Sequence, residues 1–134
     1  MSYKLLSMLA SGVTSVLAIL LITYPNVLFL LFGIEPENGA YFIGRRAAML
    51  FLGIAILTWA TRHIAHSEAR QAICLSIYTS MLGLALLGTF EYLRGVAGIG
   101  ILLAVSTEVI FAILYFRIWF HHKADFLPIS IKNT

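Results

Sequence analysis

Four apolar runs, each long enough to cross a lipid bilayer as a helix, dominate this sequence. A spanning helix needs roughly 20 mostly apolar residues to traverse about 30 Å of hydrocarbon. The runs at 3–23, 41–61, 71–93 and 96–120 meet that requirement. Small soluble domains bury only part of their surface, so a soluble chain of 134 residues could not hide this much apolar area. With 60% hydrophobic and 11% charged residues, the excess has to face lipid. The alternation of a barrel strand is absent, and a barrel needs at least about eight strands. The expected fold is all-α, an antiparallel four-helix membrane bundle forming a single transmembrane domain over 1–134.

Lys4 followed by an apolar run has the look of a secretion signal. The run continues to Thr23, however, beyond the roughly 7–15 residues of a signal's apolar core. It then meets Tyr24-Pro25-Asn26 in place of a small-residue cleavage site, so a retained first span is expected. The connections at 62–70 and 94–95 are short and force antiparallel neighbours. The first connection differs. Its apolar hexamer, from Val27 to Phe32, is too short to span and ends at Gly33. It is expected to form a short helix over about 26–33, lying in the interface or tucked against the bundle. A polar turn through Glu35-Pro36-Glu37-Asn38-Gly39 follows.

The net charge of +3 does not point to nucleic acid, because the basic residues sit at the ends of apolar runs and form no stripe. Lys4, Arg62, Arg70, Arg117, Lys123 and Lys132 fall on one side, and Arg45, Arg46 and Arg94 on the other. Cytoplasmic loops carry the excess of Lys and Arg. Both termini and the middle hairpin are therefore expected in the cytoplasm. Trp59, Trp119, Tyr24 and Tyr41 suit the interfacial belts. Small residues recur four apart at Ser7, Ser11 and Ser15, at Gly44 and Ala48, at Ser76 and Ser80, and at Thr79 and Gly83, where such rows let helix backbones approach in lipid.

Glu108 is the residue that most needs an explanation. It lies near the middle of the fourth run, where an ionised, unpaired carboxylate costs at least a few kcal/mol. It should face the interior and either hold a proton or find a partner. Arg45, Arg46 and Glu91 lie near the outer ends of their runs, and one arginine could reach inward to Glu108 or Glu91. Neighbouring residues diverge by about 100° around a helix, so the two arginines cannot point the same way. The site is then either a structural ion pair or a carboxylate that carries protons or anchors a ligand. Tyr78, Ser80 and Thr107 are candidates to line a pocket beside it.

His63, His66, His121, His122 and Cys74 gather at one membrane side and could in principle hold a metal. Their spacing matches no tight metal motif, so no metal is expected. No cofactor is implied either. The lone Cys74 excludes an internal disulfide or a CxxC redox pair. No HExxH, GxSxG or phosphate-binding loop is present, and enzymatic activity is not expected.

Tyr24-Pro25, Leu31-Phe32-Gly33-Ile34, Gly44-Arg45-Arg46, Leu50-Phe51-Leu52-Gly53 and Arg62 occur in that order. The pattern resembles small bacterial four-helix inner-membrane proteins of uncharacterised function, whose second helix opens on a Gly-Arg-Arg. The resemblance implies the fold and no activity. The functional expectation is a non-enzymatic binding or accessory subunit for a membrane partner, a lipid or a small apolar ligand, working among membrane lipids as a homo-oligomer or with another membrane protein. The alternatives are an oligomeric proton-coupled transporter or channel using Glu108, and a metal-handling membrane protein.

Overall fold

The computed structural model describes residues 2–123, the side chains of His122 and Lys123 excepted. Lys132, the Lys123 ammonium and the His122 imidazole, all invoked above, lie outside the described residues. Five helices and no strand occur among the described residues: α1 (Tyr3–Thr23), α2 (Pro25–Phe32), α3 (Asn38–Ala60), α4 (Glu68–Leu93) and α5 (Ile101–Lys123). Four of them, α1, α3, α4 and α5, are long and apolar enough to cross a membrane. Their outer faces expose large apolar side chains such as Ile19, Leu50, Leu86 and Leu103, as lipid-facing surfaces do.

Local chemistry sets the helix ends. The Ser2 hydroxyl caps α1 by accepting the Leu5 N–H. At the other end Tyr24 precedes a proline, which disfavours helical geometry, and its φ of −136° and ψ of 58° leave the helix. Pro25 opens α2 at a position whose N–H would be unused anyway. α2 stops at Gly33, which takes φ 66°. The Ile34 N–H then reaches back to the Phe29 carbonyl at 2.9 Å, a left-handed C-cap suited to glycine. Ser67 caps α4 through the Arg70 N–H.

The last long helix begins at Ile101 and not near Val96. Gly95, Gly98 and Gly100 crowd the junction, and glycine costs a helix interior about 1 kcal/mol. Gly95 turns the chain with φ 73°, and the Val96 N–H closes the end of α4 on the Glu91 carbonyl at 3.0 Å. The Gly98 N–H is committed elsewhere, to the Phe32 carbonyl at the end of α2.

The helices associate in two close pairs. α1 and α3 run antiparallel: Tyr3 meets Thr61 through their hydroxyls at 3.3 Å, the Ser11 hydroxyl donates to the Ala55 carbonyl at 2.9 Å, and Gly44 faces Leu21. Small residues make this approach possible, since Gly44, Ala48, Ala55 and Thr58 are the buried positions of α3. α4 and α5 are also antiparallel, with Gly88 under Val105 and Tyr78 against Phe116 with ring centroids 5.1 Å apart. The pairs meet where Tyr3, Leu6 and Ala10 of α1 pack with Cys74, Ile77 and Met81 of α4 and with Ala112 and Tyr115 of α5.

α2 holds one end of this assembly. Its Phe29 packs edge-on against Tyr41 of α3 at 5.3 Å, and Asn26 accepts a hydrogen bond from the Tyr41 hydroxyl. Its C-terminus lies backbone to backbone on the loop 94–100. Gly33 and Gly98 touch directly, and a Cβ on Gly100 would run into the Leu31 carbonyl.

Candidate functional site

Between the two helix pairs lies a cavity of about 160 Å³ to which every helix contributes. Ala10, Val13 and Thr14 of α1 and Phe51 and Ile54 of α3 form one wall. Ile77 and Met81 of α4 face them, with Ala104, Thr107, Glu108 and Phe111 of α5. Leu28, Leu31 and Phe32 of α2 complete it where α1 ends and α5 begins. Glu108 stands about 10 Å along α5 from Ile101, at 1.5 Å per residue, so the cavity sits well inside the span.

The polar groups of this lining are few. The Thr14 hydroxyl donates to the Ala10 carbonyl at 2.8 Å, and the Thr107 hydroxyl donates to the Leu103 carbonyl at 2.9 Å. Their protons are spent on their own helices. Glu108 is half-buried and lines the cavity. Among the described residues it forms no ion pair and no hydrogen bond.

The anticipated arginine partners are elsewhere. Arg45 and Arg46 are both exposed, and the Arg46 guanidinium lies 5.6 Å from the ring of Phe42 on its own helix. Glu91 pairs with Arg94 at 3.2 Å, one turn away. The pairing of an arginine with Glu108 is therefore absent from the structure. Gly44 and Ala48 are the faces α3 turns to α1, and with those positions inward the two arginines rotate outward.

Of the proposed pocket-lining residues, Thr107 lines the cavity. Tyr78 sits between α4 and α5 against Phe116, and Ser80 is exposed. The histidine and cysteine set is not brought together: no group of three or more His, Cys, Asp or Glu able to hold a metal occurs among the described residues. Cys74 is fully buried, while His63, His66 and His121 are exposed.

Two features escaped the sequence reading. One is the part α2 plays in lining the cavity, which its run of Leu and Phe foreshadowed without revealing where it would seat. The other is a buried polar cluster at the opposite end of the core. Ser7 and Tyr115 are fully buried with their hydroxyls near one another, and neither makes a hydrogen bond of good geometry. The Arg70 guanidinium lies 4.4 Å from the Tyr3 ring with its Nε unpartnered, as is the Gln71 side-chain amide. Tyr115 follows Glu108 by two helical turns on the same inward face, a register visible in the sequence. The chain matches no protein-family model, no curated protein and no solved structure.

Proposed function

We propose that this protein is a non-enzymatic binding protein of the bacterial inner membrane that holds a small, largely apolar molecule in its intramembrane cavity. In this reading α1, α3, α4 and α5 form an antiparallel four-helix bundle across the bilayer, and α2 lies at the outer interface as the cavity's end wall. The observation that carries the reading is the cavity itself. Its volume, about 160 Å³, compares with the engineered apolar cavity of about 150 Å³ that stays dry and admits benzene. Its aliphatic and aromatic lining with a few polar groups, of which Glu108 alone is ionisable, is the usual make-up of a small-molecule site. The exposed apolar faces of all four long helices leave room for lipid, for a second copy or for another membrane protein, which fits an accessory subunit.

Binding of fluorobenzene followed by fluorine NMR tests this. The purified protein should show saturable binding, and Ala104→Phe, which fills the cavity from α5, should remove it. Unsaturable partitioning, or binding indifferent to Ala104→Phe, would refute the reading.

One observation favours a second reading. The unpaired Glu108 carboxyl inside the span suits a proton-coupled transporter or channel, since intramembrane ionisable groups mark proton and substrate paths. A cavity of this size within one chain is short for a solute path, so transport would require a second copy. Proton-gradient-driven flux in proteoliposomes that vanishes in Glu108→Gln would support it, and equal flux in both proteins would exclude it.

A further inference from the structure

We infer that the cavity's ligand is a small organic amine, its apolar body in the cavity and its ammonium group on Glu108. This rests on the binding reading above and adds the charge and polarity of the ligand. The argument starts from the polar atoms that face the cavity. The protons of Thr14 and Thr107 are given to backbone carbonyls, so these oxygens can only accept. The Glu108 carboxylate also only accepts. A ligand must therefore bring the donors.

It must also bring the charge. The rest of the cavity wall, on α1, α2, α3, α4 and α5, contains no titratable residue. Arg45 and Arg46 are exposed, Arg94 is on Glu91, and Arg70 lies against Tyr3 at the far end of the core. Tyr3, Cys74 and Tyr115, the buried titratable groups of the core, share one cluster and none of them lines the cavity. An anion would meet a carboxylate with no compensating cation. A hydrocarbon would give the half-buried carboxyl no partner in a largely apolar lining. An ammonium satisfies it with a charge-assisted hydrogen bond, and the Phe32, Phe51 and Phe111 rings in the same lining favour a cation over an anion. The volume limits the ligand to about one ring and a short polar arm.

Charge balance gives the binding step a second property. A proton and an ammonium are alternative counter-charges for the same two oxygens. When the ammonium enters a protonated site, the O–H bond of Glu108 breaks, its electron pair stays on the carboxylate, and the proton leaves to water. One proton is released for each cation bound, so the two compete.

Benzylamine and benzyl alcohol form a matched pair of probes, equal in shape and differing in charge. Equilibrium dialysis uses the full chain in phosphatidylcholine nanodiscs, with empty nanodiscs as the blank. Benzylamine should bind roughly tenfold or more tightly than benzyl alcohol at neutral pH. It should weaken as pH falls while the alcohol does not change. Glu108→Gln should bring the amine down to the level of the alcohol, and Glu108→Asp should keep part of the preference. Equal binding of the two probes by the wild-type protein at every pH would overturn the amine while leaving the cavity reading standing. Binding of neither would overturn both, and the wild-type comparison holds even where Glu108→Gln folds poorly.

Discussion

Tyr115 carries its hydroxyl into the core near that of Ser7, and neither makes a hydrogen bond of good geometry within the protein. A buried hydroxyl without a partner costs about 1–3 kcal/mol, so its removal should not harm the fold. Tyr115→Phe, which keeps the ring packed with Tyr3, Leu6 and Cys74, is expected to leave stability unchanged or raise it by about 1 kcal/mol. Denaturation in a mixed micelle measures this. A loss larger than about 1 kcal/mol would instead place a bridging water between the two hydroxyls. Arg46 offers the opposite kind of test. A buried ion pair with Glu108 would make Arg46→Gln cost about 3–5 kcal/mol. Because Arg46 is exposed over Phe42, the expected change is within about 0.5 kcal/mol. A double-mutant cycle with Glu108→Gln should return a coupling energy near zero. Glu108 itself was legible in the sequence, since a carboxylate in the middle of an apolar run has few explanations. Its lack of a partner was not. Periodicity tells which residues of one helix share a face, but not how that helix is rotated against its neighbours. Here the small residues Gly44 and Ala48 decide the rotation of α3, and the arginines follow outward.

At the scale of the element, α2 joins the two helix pairs and lines the cavity, and its seat depends on glycines. The Phe32 carbonyl accepts the Gly98 N–H, Gly33 and Gly98 are in backbone contact, and Gly100 leaves no room for a Cβ beside the Leu31 carbonyl. Gly100→Ala must therefore push α2 off its seat or move the loop 94–100, and overpacking of this kind costs about 1–3 kcal/mol. The variant should be less stable and should lose fluorobenzene binding, because Leu28, Leu31 and Phe32 line the cavity. Gly12→Ala is the control. A Cβ there meets nothing within 4 Å, and alanine replaces glycine in a helix interior at a gain of about 0.5–1 kcal/mol. Equal stability of the two variants would show that the glycine contact does not hold α2. This contact also explains why the late start of α5 at Ile101 escaped a reading of hydropathy. Val96, Ala97 and Ile99 are apolar enough to extend a span, and a backbone hydrogen bond from Gly98 to a segment far away in sequence leaves no trace in composition. The termini of α1 and α2 were more transparent, because Pro25 and Gly33 act through local backbone geometry.

For the whole molecule, the packing sorts the charges by end. Tyr3 touches Thr61 and Arg70, so the start of α1, the end of α3 and the start of α4 share one end of the molecule. Tyr115, two turns before the end of α5, joins the same cluster. Lys4, Arg62, Arg70 and Arg117 therefore belong to that end. Arg45, Arg46 and Arg94 belong to the end held by α2, together with Glu35, Glu37 and Glu91. Lys and Arg near span ends are retained in the cytoplasm during insertion, while acidic residues contribute little. The first end should accordingly face the cytoplasm, with α2 on the outer side. Reporter fusions placed after Lys123 and within 62–67 should both report cytoplasm, and one placed within 34–37 should report the outside. The bias is moderate, and that makes it open to manipulation: adding three or four lysines to 34–37 should produce a population with the opposite orientation. Thiol labelling gives an independent reading of the same arrangement. In oriented vesicles a membrane-impermeant thiol reagent added outside should modify Leu30→Cys, since Leu30 is 85% exposed on α2. Added only inside, it should not. Modification from the inside alone would invert the topology and move the cavity's end wall to the cytoplasmic face.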